Sequence, residues 1–297
     1  MQKVIHKAGK GPDHALDLTR EEAESAFRAI VSGTATPLQV GGFFIALRTK
    51  GETGTEIAAY ARVLRESMAP SPGGDLDLPC YAGKSKTFRA IPAAIAIMEA
   101  AGVRVRAHTY DDAPGRQATG DLLDALGIAH EKVERFHPRL FELLELRKEL
   151  GVRSITNVAA RLVDPGRVGR HLISISHAPY FEKFRAALEE LGERAIIVQG
   201  SEGEPEAPYH GVLKVLRVPG GEATYRPEDF GLPRPRLEQI AAGTLEEEAA
   251  ITRRILAGEP LPHRTISLMT AAAGIAAAMD TPFEEAFARA LGASAPA

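Results

Sequence analysis

The chain has 297 residues, 44% hydrophobic and 25% charged, a balance that supports a large buried core and excludes a disordered or fibrous chain. A net charge of -3 excludes a uniformly basic binder, so any anion site has to be a local concentration of charge. The single cysteine, Cys80, excludes an internal disulfide and a cysteine zinc cluster, and the absence of tryptophan leaves few platforms for stacked bases. No apolar run reaches about eighteen residues and Met1 to Lys7 leads into no signal-type stretch, so no membrane span is expected and the reducing cytoplasm is the expected location.

In chain order, the first dozen residues read as loose chain. Thr19 then precedes Arg20-Glu21-Glu22, a capping-box arrangement that starts a helix running to about Val31, with Ser32-Gly33 as its end. Pro37 opens a second helix with Val40, Phe43, Phe44 and Leu47 on one face, closed by Lys50-Gly51. A third, from about Thr53, presents Ile57, Tyr60, Ala61 and Leu64. Pro70 to Asp75 has the composition of a hinge.

Beyond the hinge, short β-like runs alternate with helical ones. A helix over about 90–101 is followed by a strand at Val103-Arg104-Val105 and a helix from Asp121 to Leu126. Further strands are expected at Leu172 to Ile175, Arg194 to Val198 and Val212 to Leu216, with a helix over about 180–191 between the first two. Such alternation predicts an α/β fold with a central, mostly parallel sheet. The tail from about 244 to 291 returns to helix, and Glu246-Glu247-Glu248 at its start suit the helix dipole. The expected organisation is a helical subdomain over 1–70, on which helices near 130–150 pack, and an α/β domain over 75–297.

The stretches Leu18-Thr19-Arg20-Glu21-Glu22-Ala23, Gly33 to Pro37, Ala46 to Thr53, Arg147 to Arg153 and Pro227 to Pro233 together resemble the anthranilate phosphoribosyltransferase family, glycosyltransferase family 3, in order along nearly the whole chain. The resemblance implies the nucleoside phosphorylase/phosphoribosyltransferase fold and a homodimer formed through the helical subdomain. It also implies three motifs that this chain alters. The glycine-rich Gly-Thr-Gly-Gly-Asp loop, whose N–H groups wrap the diphosphate of phosphoribosyl pyrophosphate, falls on Pro79-Cys80-Tyr81-Ala82-Gly83; proline has no N–H and Tyr81 adds bulk. After the retained Thr87-Phe88, phosphate- and ribose-contacting Asn, Ser and Thr become Arg89, Ile91 and Pro92. Lys-His-Gly-Asn-Arg falls on Ala107 to Asp111, where only His108 survives. The Asp-Glu pair that holds Mg²⁺ falls on Pro205-Glu206, and Glu206 alone, or Glu204 with Glu206, is a weaker magnesium site.

The altered loop, Pro79 to Lys86, is similar to the Tyr-Asn-Gly-Ala-Arg-Lys segment of the YbiB-type paralogues of the family. Lys7-Ala8-Gly9-Lys10-Gly11 resembles their lead-in, and Gly115-Arg116-Gln117-Ala118-Thr119 resembles their Gly-Arg-Val-Thr-Thr. Those paralogues are regarded as nucleic-acid-binding proteins without the transferase activity, and the resemblance implies the same here.

Lys84, Lys86 and Arg89 are expected at the mouth of the former diphosphate site with Arg116 across from them, where Lys and Arg suit phosphate oxygens. Lys7 and Lys10 join them as candidate phosphate contacts. The partner is then DNA, RNA or another phosphate-bearing ligand, held without a cofactor. Each of these residues is equally what a solvated surface charge looks like. The alternative is a phosphoribosyl or other glycosyl transferase with changed donor and acceptor, using His108, Arg116, Arg147 and Glu206 with Mg²⁺ and phosphoribosyl pyrophosphate. Arg161, Arg167, Arg170 and His171 form a second basic stretch, read as a connecting loop.

Overall fold

The computed structural model of the chain describes residues 1–11, 13–69, 71, 73–111 and 115–294. Two compact units form: one joins 1–71, 133–165 and 182–193, the other 72–132, 166–181 and 194 onward. Residues 182–193 therefore group with the helical unit, although the sequence assigns them to the α/β domain. Pro70 and Pro72 of the expected hinge lie outside the described residues.

The first unit begins with α1 (Gln2–Ala8), α2 (Arg20–Val31), α3 (Pro37–Lys50) and α4 (Gly54–Glu66). Thr19, Thr36 and Thr53 each accept the N–H three residues on, while Glu22, Gln39 and Glu56 return a bond to the cap. Three identical devices thus fix where three helices start. Phe27 stacks on Tyr60 at 4.1 Å between centroids and meets Phe43 edge-on, joining α2, α3 and α4 in one apolar centre. The α1 segment corrects the expectation of loose chain: Ala8 is buried, and Lys7 pairs with Glu22 at 2.5 Å.

The second unit holds β1 (Leu76–Cys80), β2 (Val105–Thr109), β3 (Glu131–Lys132), β4 (Arg170–Ile175), β5 (Arg194–Gln199), β6 (Leu213–Val218) and β7 (Glu222–Tyr225). The described strands make one seven-stranded sheet in the order β3-β2-β1-β4-β5-β6-β7. The first five run parallel; β6 and β7 are antiparallel. Helices α5 (Ile91–Ala100) and α6 (Thr119–Leu126) follow β1 and β2. In the first unit, α7 (Val133–Phe136), α8 (Pro138–Leu150) and α9 (Thr156–Ala159) precede β4, and α10 (Pro179–Leu191) connects β4 to β5 in the chain. Helices α11 (Leu245–Leu256), α12 (Pro262–Met279) and α13 (Phe283–Ala293) end the fold.

The core of this unit sits around α12, buried from Thr265 to Ala278, and around α5, buried from Ile91 to Ile95. No single helix among the described residues is long and apolar enough to cross a membrane. Strand β1 is the central element that the sequence did not announce. Asp77 and Pro79 break any alternating pattern in Leu76-Asp77-Leu78-Pro79-Cys80, yet the strand is buried throughout because it is flanked on both edges.

Candidate functional site

Strand β1 delivers the altered loop. Pro79 and Cys80 are its last residues, paired in register with His108 and Thr109 of β2, so the first two positions of the former glycine loop are sheet rather than turn. Residues 81–90 then run to α5 under restraint from both sides. The Lys84 N–H and C=O pair with Gln117, Phe88 N–H donates to the Ile240 carbonyl, and Ala242 N–H donates to that of Lys86.

The loop after β5 reaches into this segment with one carboxyl at every second residue. Glu202 accepts the N–H groups of Ser85 (2.9 Å), Lys86 (3.2 Å) and Thr87 (3.1 Å) and both hydroxyls, Ser85 Oγ and Thr87 Oγ1, at 3.1 Å. Glu204 Oε1 accepts from Gly83 N–H (2.6 Å), Ala82 N–H (3.1 Å) and Thr119 Oγ1 (3.1 Å). Glu206 Oε1 accepts from Ala90 (2.8 Å) and Ile91 (3.2 Å) at the N-terminus of α5. Successive backbone N–H groups and a helix start are anion sites by construction, and here the anions are side chains of the same chain. Gly203 permits this approach: its φ is 97, and a Cβ there would stand 3.1 Å from Ala82 Cβ.

The basic residues of the loop answer these carboxyls. Lys84 Nζ lies 2.6 Å from Glu206 Oε2 and 2.6 Å from the Phe88 carbonyl, and Lys84 is 1% exposed. Arg89, also 1% exposed, donates from Nε to Glu248 Oε2 (2.8 Å) and from Nη1 to the Ala118 carbonyl (2.6 Å). Arg116 Nη1 donates to the carbonyls of Glu202 (2.6 Å) and Gly83 (3.0 Å), tying the two loops together.

Burial pushes the Glu204 carboxyl up to about 7, and the neighbouring Glu206 adds to the effect against the pull of the Gly83 and Ala82 N–H groups and the Thr119 hydroxyl. Burial raises Glu206 too, while Lys84 and the α5 N–H groups pull the other way. At Glu202 partial burial is outweighed by the Ser85 and Lys86 N–H groups, which hold it below the usual carboxylate range.

Beneath the loop lies a buried hydrogen-bonded chain. Asp77 of β1 takes His108 Nε2 at 3.1 Å and His171 Nδ1 at 2.9 Å, and His108 Nδ1 is 2.7 Å from Tyr81 Oη. Burial alone would raise Asp77; the charge and hydrogen bond of His108, and then His171, hold it well below the ordinary range instead. Tyr81 is pushed far up by burial, with Asp77 adding to it.

Comparison with known proteins fits both units. Residues 2–68 match the helical bundle domain of a glycosyl transferase family and residues 94–293 its a/b domain. Anthranilate phosphoribosyltransferase of Desulfitobacterium hafniense strain Y51 is 33% identical over 94% of this chain and 90% of its own. The chain belongs to glycosyltransferase family 3. Within that family, the crystal structure of anthranilate phosphoribosyltransferase from Thermus thermophilus superposes with a TM-score of 0.86 at 30% identity, over 98% of this chain and 94% of that one. The enzyme from Saccharomyces cerevisiae in complex with PRPP and Mg shares the fold, with a TM-score of 0.80 at 19% identity, over 98% of this chain and 92% of that one.

Against the family pattern, the placement of Lys84 and Arg89 is a correction. Expected at an open mouth, they point inward, because Glu206 and Glu248 take their charges in sites closed to water. Arg116 spends its Nη1 on carbonyls. Only Lys86 of the loop's three bases stands exposed. Lys7 and Lys10 lie in the first unit, Lys10 exposed and Lys7 paired with Glu22. Arg147 is half-buried on α8, and His108 is held between Asp77 and Tyr81.

Magnesium, which the family implies, does not fit these residues. Glu206 has one oxygen on Lys84 and the other on two N–H groups, and Pro205 offers no side-chain oxygen. Glu204 keeps one unpartnered buried oxygen, Oε2, too few for a cation that wants six. Sequence reasoning missed Glu202, Asp77, the pairing of His171, and Glu248, which does more than suit a helix dipole. The clustering of three glutamates in Glu202-Gly203-Glu204-Pro205-Glu206 was the available signal, although turns with positive φ at Glu202 and Gly203, rather than an extended strand, aim the carboxyls.

Proposed function

We propose that this chain keeps the family scaffold without phosphoribosyl transfer to anthranilate, because its own carboxylates take the donors that would hold a diphosphate. The supporting observation is the set of seven N–H groups, at residues 82, 83, 85, 86, 87, 90 and 91, directed at Glu202, Glu204 and Glu206. A transferase stabilises the departing diphosphate by electrostatics arranged in advance. Here one cation, Lys84, meets three carboxyls, and Arg116 is bound to backbone carbonyls, the wrong balance for a polyanion.

A second activity is proposed beside it: binding of nucleic acid through backbone phosphates. It is favoured by exposed Lys10 and Lys86 and by exposed Lys3 and His6 on α1, a helix with no acidic residue of its own. The same reading takes the chain as a homodimer through the helical unit, where Leu38 (85% exposed) and Ile45 (41%) stand seven residues apart along α3. Two measurements test it. Anthranilate with phosphoribosyl pyrophosphate and Mg²⁺ is expected to show no turnover by the loss of anthranilate fluorescence, and turnover sinks the first part. Anisotropy of labelled DNA and RNA at low salt is expected to rise with protein, to fall steeply with added salt and to weaken in Lys10→Ala/Lys86→Ala. No binding, or binding that the variant leaves unchanged, sinks the second.

A further inference from the structure

Lys84 sits inside a set of oxygens of the kind that coordinates metal. The Glu206 carboxylate and the Phe88 carbonyl both direct an oxygen at its Nζ, each at 2.6 Å, and the pairing of the Lys84 backbone with Gln117 fixes where the side chain starts. Glu204 is close enough to feel the Glu206 charge, and its Oε2 is buried and unpartnered. A hard divalent cation chooses carboxylate and carbonyl oxygens of this kind. An ammonium is a fixed, monovalent occupant that needs no loading from solution.

We infer that the Lys84 ammonium is a built-in cation standing where a divalent metal would stand between Glu206 and the Phe88 carbonyl, so that this loop takes up no Mg²⁺ or Mn²⁺. The inference deepens the reading of the loop as self-occupied and rests on it: the carboxylates replace the anionic ligand, and Lys84 replaces the counterion. It also carries a positive consequence. Shortening Lys84 leaves two oxygens, with Glu204 beside them, around a vacated cation position.

Titration with Mn²⁺, read by the loss of the free-ion electron paramagnetic resonance signal, tests this on wild type, Lys84→Ala and Lys84→Ala/Glu206→Gln. Wild type is expected to leave the signal unchanged up to about 1 mM Mn²⁺, a range in which weak protein sites fill. Lys84→Ala is expected to take up about one ion per chain, and the double variant to bind it at least ~10-fold more weakly. Uptake by wild type that Glu206→Gln abolishes overturns the inference, as does a folded Lys84→Ala that takes up no Mn²⁺. Should Lys84→Ala not fold, the titrations of wild type and of Lys84→Arg, which keeps a fixed cation, each with and without Glu206→Gln, decide alone: uptake by either that Glu206→Gln abolishes overturns the inference, and the absence of any such uptake sustains it. The readout is metal uptake without substrate, so turnover of phosphoribosyl pyrophosphate would sink the proposed function separately.

Discussion

Glu202 holds three N–H groups and two hydroxyls with one carboxylate, and it does so from a left-handed backbone conformation, φ 54. A non-glycine residue there costs on the order of 1 kcal/mol or more, which the five hydrogen bonds offset. Glu202→Ala therefore opens an anion nest. The variant is expected to be destabilised by about 1–3 kcal/mol and to be re-stabilised by millimolar phosphate or sulfate, while wild type is insensitive to both. Thermal melts with sulfate against chloride at matched ionic strength read the difference; equal response of the two proteins sinks the idea. At this scale the sequence showed the charges but not their direction. Lys84 finds its carboxylate 122 residues away and Arg89 finds its own 159 away, so no local pattern tells a buried pair from a solvated base.

Elements with their own punctuation were legible. The Thr19 capping box, Pro37 and the start at about Thr53 marked three helices within a residue of where they form, and the segments of α5, α10, β4 and β5 were legible as alternating helical and β-like runs. Those that depend on neighbours were not. The seven residues of α1 are too few to be helical alone, and they form because they pack along α3. Strand β1, with an aspartate and a proline, is held by its neighbours β2 and β4. Gly54 is a third such case, a glycine opening a helix for a reason no local rule supplies. A Cβ there would fall 2.5 Å from Ala186 Cβ and 3.0 Å from both the Ala187 nitrogen and the Lys183 carbonyl oxygen, so α4 and α10 touch at backbone distance. Gly54→Ala, ordinarily favourable in a helix, is expected to destabilise by about 1–3 kcal/mol. An unchanged or raised midpoint in chemical denaturation would show that the two helices can separate at no cost.

For the whole molecule, the buried carboxyls make stability a function of pH, in opposed directions. Glu204 sits at about 7 in the folded chain against 4.5 for an ordinary glutamate, so between those values the folded state holds a proton that the unfolded chain has released. Its contribution is fully present below about 4.5 and is lost as pH rises through about 7, a change on the order of 3 kcal/mol. Asp77 acts the other way: held low by its histidines, it stabilises above the ordinary aspartate range and loses that contribution only as pH falls further. Burial of His137 and His263 disfavours their charged forms, so their contribution grows as pH rises toward 6.5 and partly hides that of Glu204 in the wild-type profile. Glu204→Gln separates these effects, because an amide keeps the acceptor for the Ala82, Gly83 and Thr119 donors and carries no charge at any pH. Denaturation midpoints of variant and wild type are expected to agree near pH 5 and to part by pH 8, with the variant the more stable. The histidine and Asp77 contributions cancel in that difference, so parallel profiles would mean that Glu204 titrates as an ordinary glutamate and that the loop around it is open to water.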